Sequence, residues 1–374
     1  MFQLMKKYVE SYVCQNNQWQ IEPEKTIYLD SSNGMIGGGC CLFFGKDKNF
    51  PLLVAKGASR LEGKVLFETE FDTLQNLERI GMNTERRTTP MPLKLWREEG
   101  NLITLQAALP GTLMISIPAR TLFSQNRIST TIARVVDWWR HFQELAGVRK
   151  IQLTDKTYEK EILLPLLQFK QRFRMDKDEI LFLTRRYFEE RPLFGIELPF
   201  MVRHCDFFPG NMVYGPEGIG VFDWEFPLDH HLPFFDLFYF FSSVRFPFNG
   251  YRGESSHFDS FISVFWGNNY FNKAMRHCIQ QMCAVFEIPG ECVLDLFLLS
   301  LIQVANMKYE TLIKGHGINE ELLIQTQISE EEKRLLWQSL WIRKKDNPFA
   351  FIRDGVFENI RFIVRNGLPN LANS

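Results

Sequence analysis

The sequence predicts an α+β chain in two parts. Residues 1–108 form a small β-rich part with one helix, and residues 109–374 a larger, mainly helical part that carries one β-hairpin. Three observations lead there. Before residue 108 the apolar residues come mostly in short runs broken by Gly-, Pro- or Asn-containing turns, which is the pattern of strands. After Thr112 they recur at i, i+3, i+4 over long stretches, which is the pattern of helices. Within that helical part, Met212–Tyr214 and Ile219–Phe222 are short apolar runs joined by Gly215-Pro216-Glu217-Gly218, a strong turn signal.

Thr26–Asp30 alternates as a short strand, and Cys40–Phe44 and Leu52–Lys56 are continuous apolar strands separated by a turn at Gly45–Asn49. Ser31–Gly39 reads S-S-N-G-M-I-G-G-G. A Gly-rich turn between strands lets backbone N–H groups approach phosphates, which makes Gly37 and Gly38 candidate nucleotide contacts. Glycines in such a place also serve simply to make a tight turn, and no G-K-[ST] follows, so this is not a Walker A loop. Gly63–Ile80 is helical, with Leu66, Phe67, Phe71, Leu74 and Leu77 on one face. Glu70 lies on that same face, whereas Glu68 and Asp72 point nearly opposite. A carboxylate on an apolar face requires a cation or hydrogen-bond donors, and Lys56 is the candidate. Leu102–Leu109 is a further apolar run, closed by Pro110-Gly111. Helices follow at Ile128–Leu145, stopped by Gly147, then at Tyr158–Arg174 and Asp178–Glu190. Beyond the hairpin they are expected at Phe258–Trp266, Ala274–Phe286, Cys292–Ile313, Glu330–Trp341 and Pro348–Asn366.

The chemistry concentrates between Arg203 and Glu225. Leu198–Val202 is a short apolar run that can enter a core as a strand, and the chain then reads R-H-C-D-F-F-P-G-N. Asn211 lies just before the first hairpin strand and Asp223 just after the second, so both sit at its open end, where paired positions are about 5 Å apart. Magnesium takes one or two carboxylates with phosphates and waters, and an amide and a carboxylate so placed suit it. Asp206, in the loop entering the hairpin, can face the same spot and orient or deprotonate a hydroxyl. These are the polar parts that phosphoryl transfer requires. A bare H-x-D-x-x-x-x-N also arises by accident. The entering strand, the Pro-Gly, the hairpin and the D-W-E at its exit together give it meaning.

This segment resembles the catalytic core of the aminoglycoside phosphotransferase and choline kinase family, small-molecule relatives of the protein kinases, whose pattern is H-G-D-x-x-x-x-N, a short hairpin and D-x-[DE]. The resemblance implies a bilobal protein-kinase-like fold. It implies Asp206 as catalytic base, Asn211 and Asp223 as magnesium ligands, Glu225 as the last acidic residue of the metal site, and His204 as the residue that braces the loop. Cys205 stands where the family has Gly. Pro233-Phe234-Phe235-Asp236-Leu237 resembles D-P-x-x-D-L, with Leu232 in place of the first Asp and Asp236 in a structural role. Leu53-Val54-Ala55-Lys56 resembles the kinase V-A-x-K strand, with Lys56 on the nucleotide phosphates and Glu70 as its partner. The backbone of Gln106 to Ala108 is then the linker that contacts adenine. The implied activity is ATP- and Mg2+-dependent transfer of a γ-phosphoryl group to a hydroxyl of an amino sugar, sugar or amino alcohol. The acceptor is expected among 228–236, 255–272 and 302–310.

Composition narrows the partners. Net charge is -1 with a pI near 6.7, and no block of like charge argues for nucleic acid or an anionic membrane surface. Seven cysteines without a C-x-x-C indicate neither a zinc site nor a disulfide framework, and they suit a reducing compartment. Met1–Cys14 carries Lys6, Lys7 and Glu10 and lacks the apolar core of a signal peptide. The apolar stretches 232–244 and 293–307 are expected to be too short and too interrupted to span a bilayer. A cytoplasmic protein with a small-molecule partner is the expectation, and its oligomeric state is open. His230-His231 reads as an ordinary loop. Two other readings stay open. One is a catalytically silent kinase-fold nucleotide-binding or scaffold protein, although every position that would carry chemistry holds a competent residue. The other is a protein kinase, although the exit motif is D-W-E rather than D-F-G and no A-P-E follows.

Overall fold

Strand alternation sorts the N-terminal residues onto two faces of one antiparallel sheet. The structure, a computed structural model, describes residues 1–30, 38–46, 48, 50–117, 119–122, 124–173, 175, 177–215, 218–226, 228–244, 257–315, 358–366, 369 and 371. Gly37, the hairpin residues 216–217, the expected helix 330–341 and the first part of 348–366 lie outside them. The sheet contains β1 (Thr26–Asp30), β2 (Gly38–Phe44), β3 (Pro51–Ala58), β4 (Met91–Glu98) and β5 (Asn101–Ala107) in the order β1-β2-β3-β5-β4. On one face Cys41, Phe43, Leu53, Ala55, Ile103, Leu105 and Ala107 form a buried core with Met5 and Val9. On the other lie Cys40, Leu42, Val54, Lys56, Thr104 and Gln106, and at one end Ala58 and Leu102 pack against Phe67.

Met5 and Val9 belong to α1 (Phe2–Gln15), and Phe67 to α2 (Leu61–Arg79). The N-terminal part therefore has two helices where one was expected. The missed helix has no side-chain cap, and its stability comes from packing Met5, Val9 and their neighbours on the sheet. β4 was also not anticipated. It joins β5 through Glu99 (φ 50°) and Gly100 (φ 74°), a two-residue turn whose paired positive φ values match the twist of a hairpin.

Further along come β6 (Thr112–Leu113), the short α3 (Ala119–Leu122), α4 (Ile128–Ala146), β7 (Arg149–Gln152), α5 (Asp155–Tyr158), α6 (Leu164–Arg172), α7 (Lys177–Thr184), β8 (Glu197–Val202), β9 (Met212–Gly215) and β10 (Gly218–Val221). They are followed by β11 (His230–His231), α8 (Phe235–Ser243), α9 (His257–Phe265), α10 (Tyr270–Phe286), α11 (Val293–Gly315) and a last helix at Glu358–Asn366. By packing, the chain divides into two units. The first is 1–118, 137–147 and 202–229, and the second is 119–136, 148–201 and 230–374. The division differs from a single cut at 108/109 because β9 pairs with β6 and the exit of the β9–β10 hairpin is bonded to Lys56. Thr112 and Leu113, expected to open a helical stretch, form that β6 pairing.

The second unit is mainly helical. The stretches expected as single helices at 158–174 and 178–190 each contain a π-helical turn, at Glu159–Leu163 and Arg185–Glu190. The wider turn frees carbonyls, and Gln303 donates to that of Glu161 at 3.4 Å. His230-His231 is a strand paired with β8 rather than a loop, and His231 Nδ1 lies 3.2 Å from Glu161 Oε2. Residues 290–310 are long and apolar enough to cross a membrane, contrary to the expectation from 293–307. Their most apolar window is 72% buried inside the protein, which marks α11 as the core helix of this unit. Its polar residues have partners there. Arg186 donates to Asp295 through Nε (2.6 Å) and Nη2 (2.9 Å), and Ser300 donates to the Leu296 carbonyl at 2.7 Å.

In the first unit, the end of β8 is completed by a side chain. Gln143 of α4, fully buried, donates to the Val202 carbonyl at 2.8 Å and accepts from its N–H at 3.1 Å. Gln143→Leu strands a buried donor and a buried acceptor. It should lower unfolding stability by about 2–4 kcal/mol, measured as a reduced denaturation midpoint.

Candidate active site

Lys56 stands on the open face of β3, and its surroundings are anionic. Its Nζ lies 2.9 Å and 2.8 Å from Glu70 Oε1 and Oε2, and 2.5 Å from Asp223 Oδ1. Glu70 is 1% exposed, at the position on α2 where the helical period predicted a carboxylate facing the apolar side. Burial alone would lower the ammonium pKa. Asp223, Glu70 and Glu225 outweigh it and hold Lys56 well above the ordinary lysine value. Glu225 is pushed up to about 8 by burial and by the neighbouring charge of Asp223.

The hairpin delivers Asp223 to this point. β9 and β10 pair from Gly215↔Gly218 to Met212↔Val221, and the Phe222 N–H donates to the Asn211 carbonyl at 3.1 Å. Asn211 and Asp223 thus flank the open end, as the spacing predicted. Asn211 Nδ2 donates to Asp206 Oδ2 at 2.8 Å and to its carbonyl at 3.1 Å. The amide oxygen of Asn211 is then the atom that remains to meet a cation.

His204, fully buried, locks the loop from behind. Its Nδ1 accepts from the Asp206 N–H at 3.2 Å. That leaves Nε2–H to donate to the Phe222 carbonyl at 3.0 Å, which fixes the tautomer. One imidazole therefore ties the loop of Asp206 to the strand that leads into Asp223, and His204 is a positioning residue. Cys205 between them has φ 68° and Asp223 has φ 71°, both in the left-handed region where a Cβ is strained.

Aromatic rings hold the exit of the hairpin. Trp224 packs 4.4 Å from the His204 ring and 5.2 Å from Phe142, and Trp138 stacks on Phe207 at 5.5 Å. Trp224 Nε1 donates to the Val221 carbonyl at 3.1 Å, and Thr73 of α2 donates to the Phe226 carbonyl at 3.2 Å. Trp138, Phe142 and Thr73 were not anticipated as parts of the site. The i, i+4 spacing of Trp138 and Phe142 marked an apolar helix face, without showing what it would meet.

A cavity of about 430 Å³ opens on the same sheet face. Leu42, Val54, Phe67, Ala108, Val213 and Phe222 give it apolar walls, and Lys56 and Asp223 are also part of its lining. Gln106 and Ala108, whose backbone was expected to contact adenine, line it, but the Ala108 N–H already donates to the Leu52 carbonyl at 2.9 Å and is not available to a base. Gly39 lines the cavity, whereas Gly38 is required by the sheet: a Cβ there would sit 1.8 Å from the Gly57 carbonyl oxygen. Among the described residues no three His, Cys, Asp or Glu side chains are grouped as a metal site. A cation here would rest on the Asn211 amide oxygen, Asp223, Glu225 and oxygens of a ligand, a set suited to magnesium. Three carboxylates, Glu70, Asp223 and Glu225, act on the single Lys56, an arrangement with room for a cation.

A nucleotide-sized cavity, a cation held by a helix carboxylate, and an Asp–Asn loop set against a hairpin define a phosphoryl-transfer type of site. Residues 59–255, just over half of the 374, match the sequence model of the phosphotransferase enzyme family. The chain belongs to that family, and its fold is α+β, as expected. Among solved structures it is similar to aminoglycoside phosphotransferase APH(3'')-Id from Streptomyces rimosus, with TM-score 0.43 and 13% identity over 80% of this chain and 97% of that one. It is also similar to a thermostable mutant of aminoglycoside phosphotransferase APH(4)-Ia in a ternary complex with ADP and hygromycin B, with TM-score 0.45 and 9% identity over 92% and 98%. An aminoglycoside-3'-phosphotransferase of type VIII gives TM-score 0.44 and 14% identity over 79% and 97%. No curated protein matches the sequence significantly.

The left-handed backbone at Cys205 gives a test of the loop. Cys205→Gly should be tolerated without loss of stability, because it relieves the Cβ. Cys205→Val should destabilise by more than about 1–2 kcal/mol, read from thermal melts of the two variants.

Proposed function

We propose that this chain is an ATP- and Mg2+-dependent phosphotransferase that moves a γ-phosphoryl group to a hydroxyl of a small molecule of the amino sugar, sugar or amino alcohol class. The observation that carries this reading is the bonding of Lys56 to both Glu70 and Asp223 on the wall of the cavity, with Asp223 linked through the hairpin to the Asp206–Asn211 loop. Family membership supports the reaction type.

Lys56 binds the nucleotide phosphates from β3, and Glu70 fixes its direction. Asn211, Asp223 and Glu225 would hold magnesium, which when bound neutralises phosphate charge. Asp206 orients the acceptor hydroxyl for in-line attack and takes its proton as the new P–O bond forms and the bond from the γ-phosphorus to the departing ADP oxygen breaks. His204 keeps Asp206 and Asp223 in register. Catalysis is then largely positioning and charge stabilisation. In this reading residues 1–108 serve the nucleotide, and the catalytic loop with the acceptor-binding residues falls in 109–374. None of the seven cysteines forms a disulfide among the described residues, which suits the reducing, cytoplasmic setting proposed here.

The test is ADP release from purified protein across a panel of amino sugars, sugars and amino alcohols. Release should be stimulated by one acceptor class and abolished by EDTA. It should fall by about 10²–10⁴ in Asp206→Asn with nucleotide affinity retained. Nucleotide binding without release above the variant's background would favour a silent kinase-fold protein instead. Lys56→Met should raise the KM for ATP by about tenfold or more, since a hydrogen bond to a charged group contributes about 1.5–3 kcal/mol.

A further inference from the structure

The apolar end of the cavity contains one side chain that its walls do not explain. Gln106 lies on β5 opposite Val54, on the same sheet face as Lys56, whose own partner on β5 is Thr104. It is therefore one same-face step from the position opposite Lys56, roughly 7–8 Å along the sheet. It is only 6% exposed and lines the cavity. Among the described residues its side-chain amide has no hydrogen-bond partner. Its amide atoms are not sealed off, so on the cavity wall they stay open to a ligand with matching donors and acceptors. The other polar side chains of the lining are Lys56, Asp223 and Cys40, and Cys40 pairs with Lys56 across β2 and β3, so all three belong to the phosphate end.

Given the nucleotide reading above, on which this inference rests, we propose that Gln106 reads the purine edge and that the site takes adenine and guanine nucleotides with comparable affinity. The amide offers one acceptor oxygen and an N–H donor side by side. Adenine presents an exocyclic amino donor beside a ring-nitrogen acceptor, a pair that a Gln amide matches through two hydrogen bonds. Guanine presents the reverse pair, O6 as acceptor beside N1–H as donor. Turning the amide over about its last torsion exchanges its donor and acceptor, and no protein partner holds it in one orientation. The base is thus recognised by a side chain that accommodates either purine, in addition to whatever the linker backbone supplies.

The test measures dissociation constants of ADP and GDP by calorimetry, with Mg2+ present, for the wild-type chain, Gln106→Met and Gln106→Glu. Wild type should bind both within about tenfold of each other. Gln106→Met, similar in volume, should weaken both by a similar factor of about 5 to 150, the range for one lost two-bond base contact. Gln106→Glu, with acceptors only, should favour GDP, whose N1–H and N2 amino groups are two donors, by about tenfold or more. Thermal melts within a few degrees of wild type establish that the variants fold. A wild-type preference beyond about a hundredfold, or variants with wild-type constants, would overturn the inference and leave the nucleotide reading standing. Binding of neither nucleotide to the folded wild-type chain would overturn both.

Discussion

The structure of the site depends on one buried cation held by two carboxylates. Lys56 Nζ touches Glu70 from α2 and Asp223 from the hairpin exit, so three segments far apart in sequence converge on one atom. Removing the ammonium would leave the buried Glu70 carboxylate uncompensated, at a cost of about 3–5 kcal/mol. The arrangement therefore holds only if strand, helix and hairpin all keep their places. The sheet fixes β3, the packing of Phe67 against Ala58 and Leu102 fixes α2, and the imidazole of His204 with the rings around Trp224 fixes the hairpin. Each support has its own chemistry, and none is replaceable by making another stronger.

The excess of negative charge gives this site its direction. Asp223, Glu70 and Glu225 all act on a single ammonium, and burial with the charge of Asp223 pushes Glu225 up to about 8. A protein that only needed stability would pair these charges evenly. The proposed nucleotide with its counter-cation would call for more acceptors than fixed positive groups. The left-handed backbones at Cys205 and Asp223 fit the same picture: local strain is retained where side-chain direction matters more than ease of folding.

Much of this was legible in the sequence because it depends on short-range periodicity. The resemblance to a V-A-x-K strand singled out Lys56, helical period put Glu70 on the buried side of α2, and the turn signal put Asn211 and Asp223 at one end of a hairpin. What could not be read depended on residues distant in sequence. Nothing near Val202 announces that Gln143 will complete its hydrogen bonds, or near Trp224 that Trp138 and Phe142 will surround it. Gln106 and Ala108, expected at the adenine linker, both line the cavity, but the bond from the Ala108 N–H to Leu52 follows from strand register rather than residue type and could not be read in advance. α1 escaped for a different reason: its apolar positions are few, and only the sheet beneath them makes them a helix face. In α11 the composition misled about length, and burial rather than hydropathy identifies it as core.

That N-terminal helix has a consequence for how the chain is handled. Gly57 follows Lys56 on β3, and a Cβ on it would lie 2.7 Å from the Met1 sulfur and 2.9 Å from that of Met5. The first residues of the chain therefore rest directly against the strand that carries the ammonium, on the side away from the cavity. α1 is a structural layer of the sheet. Shortening the Met1 or Met5 side chain would alter the packing behind β3 without touching any residue that lines the cavity.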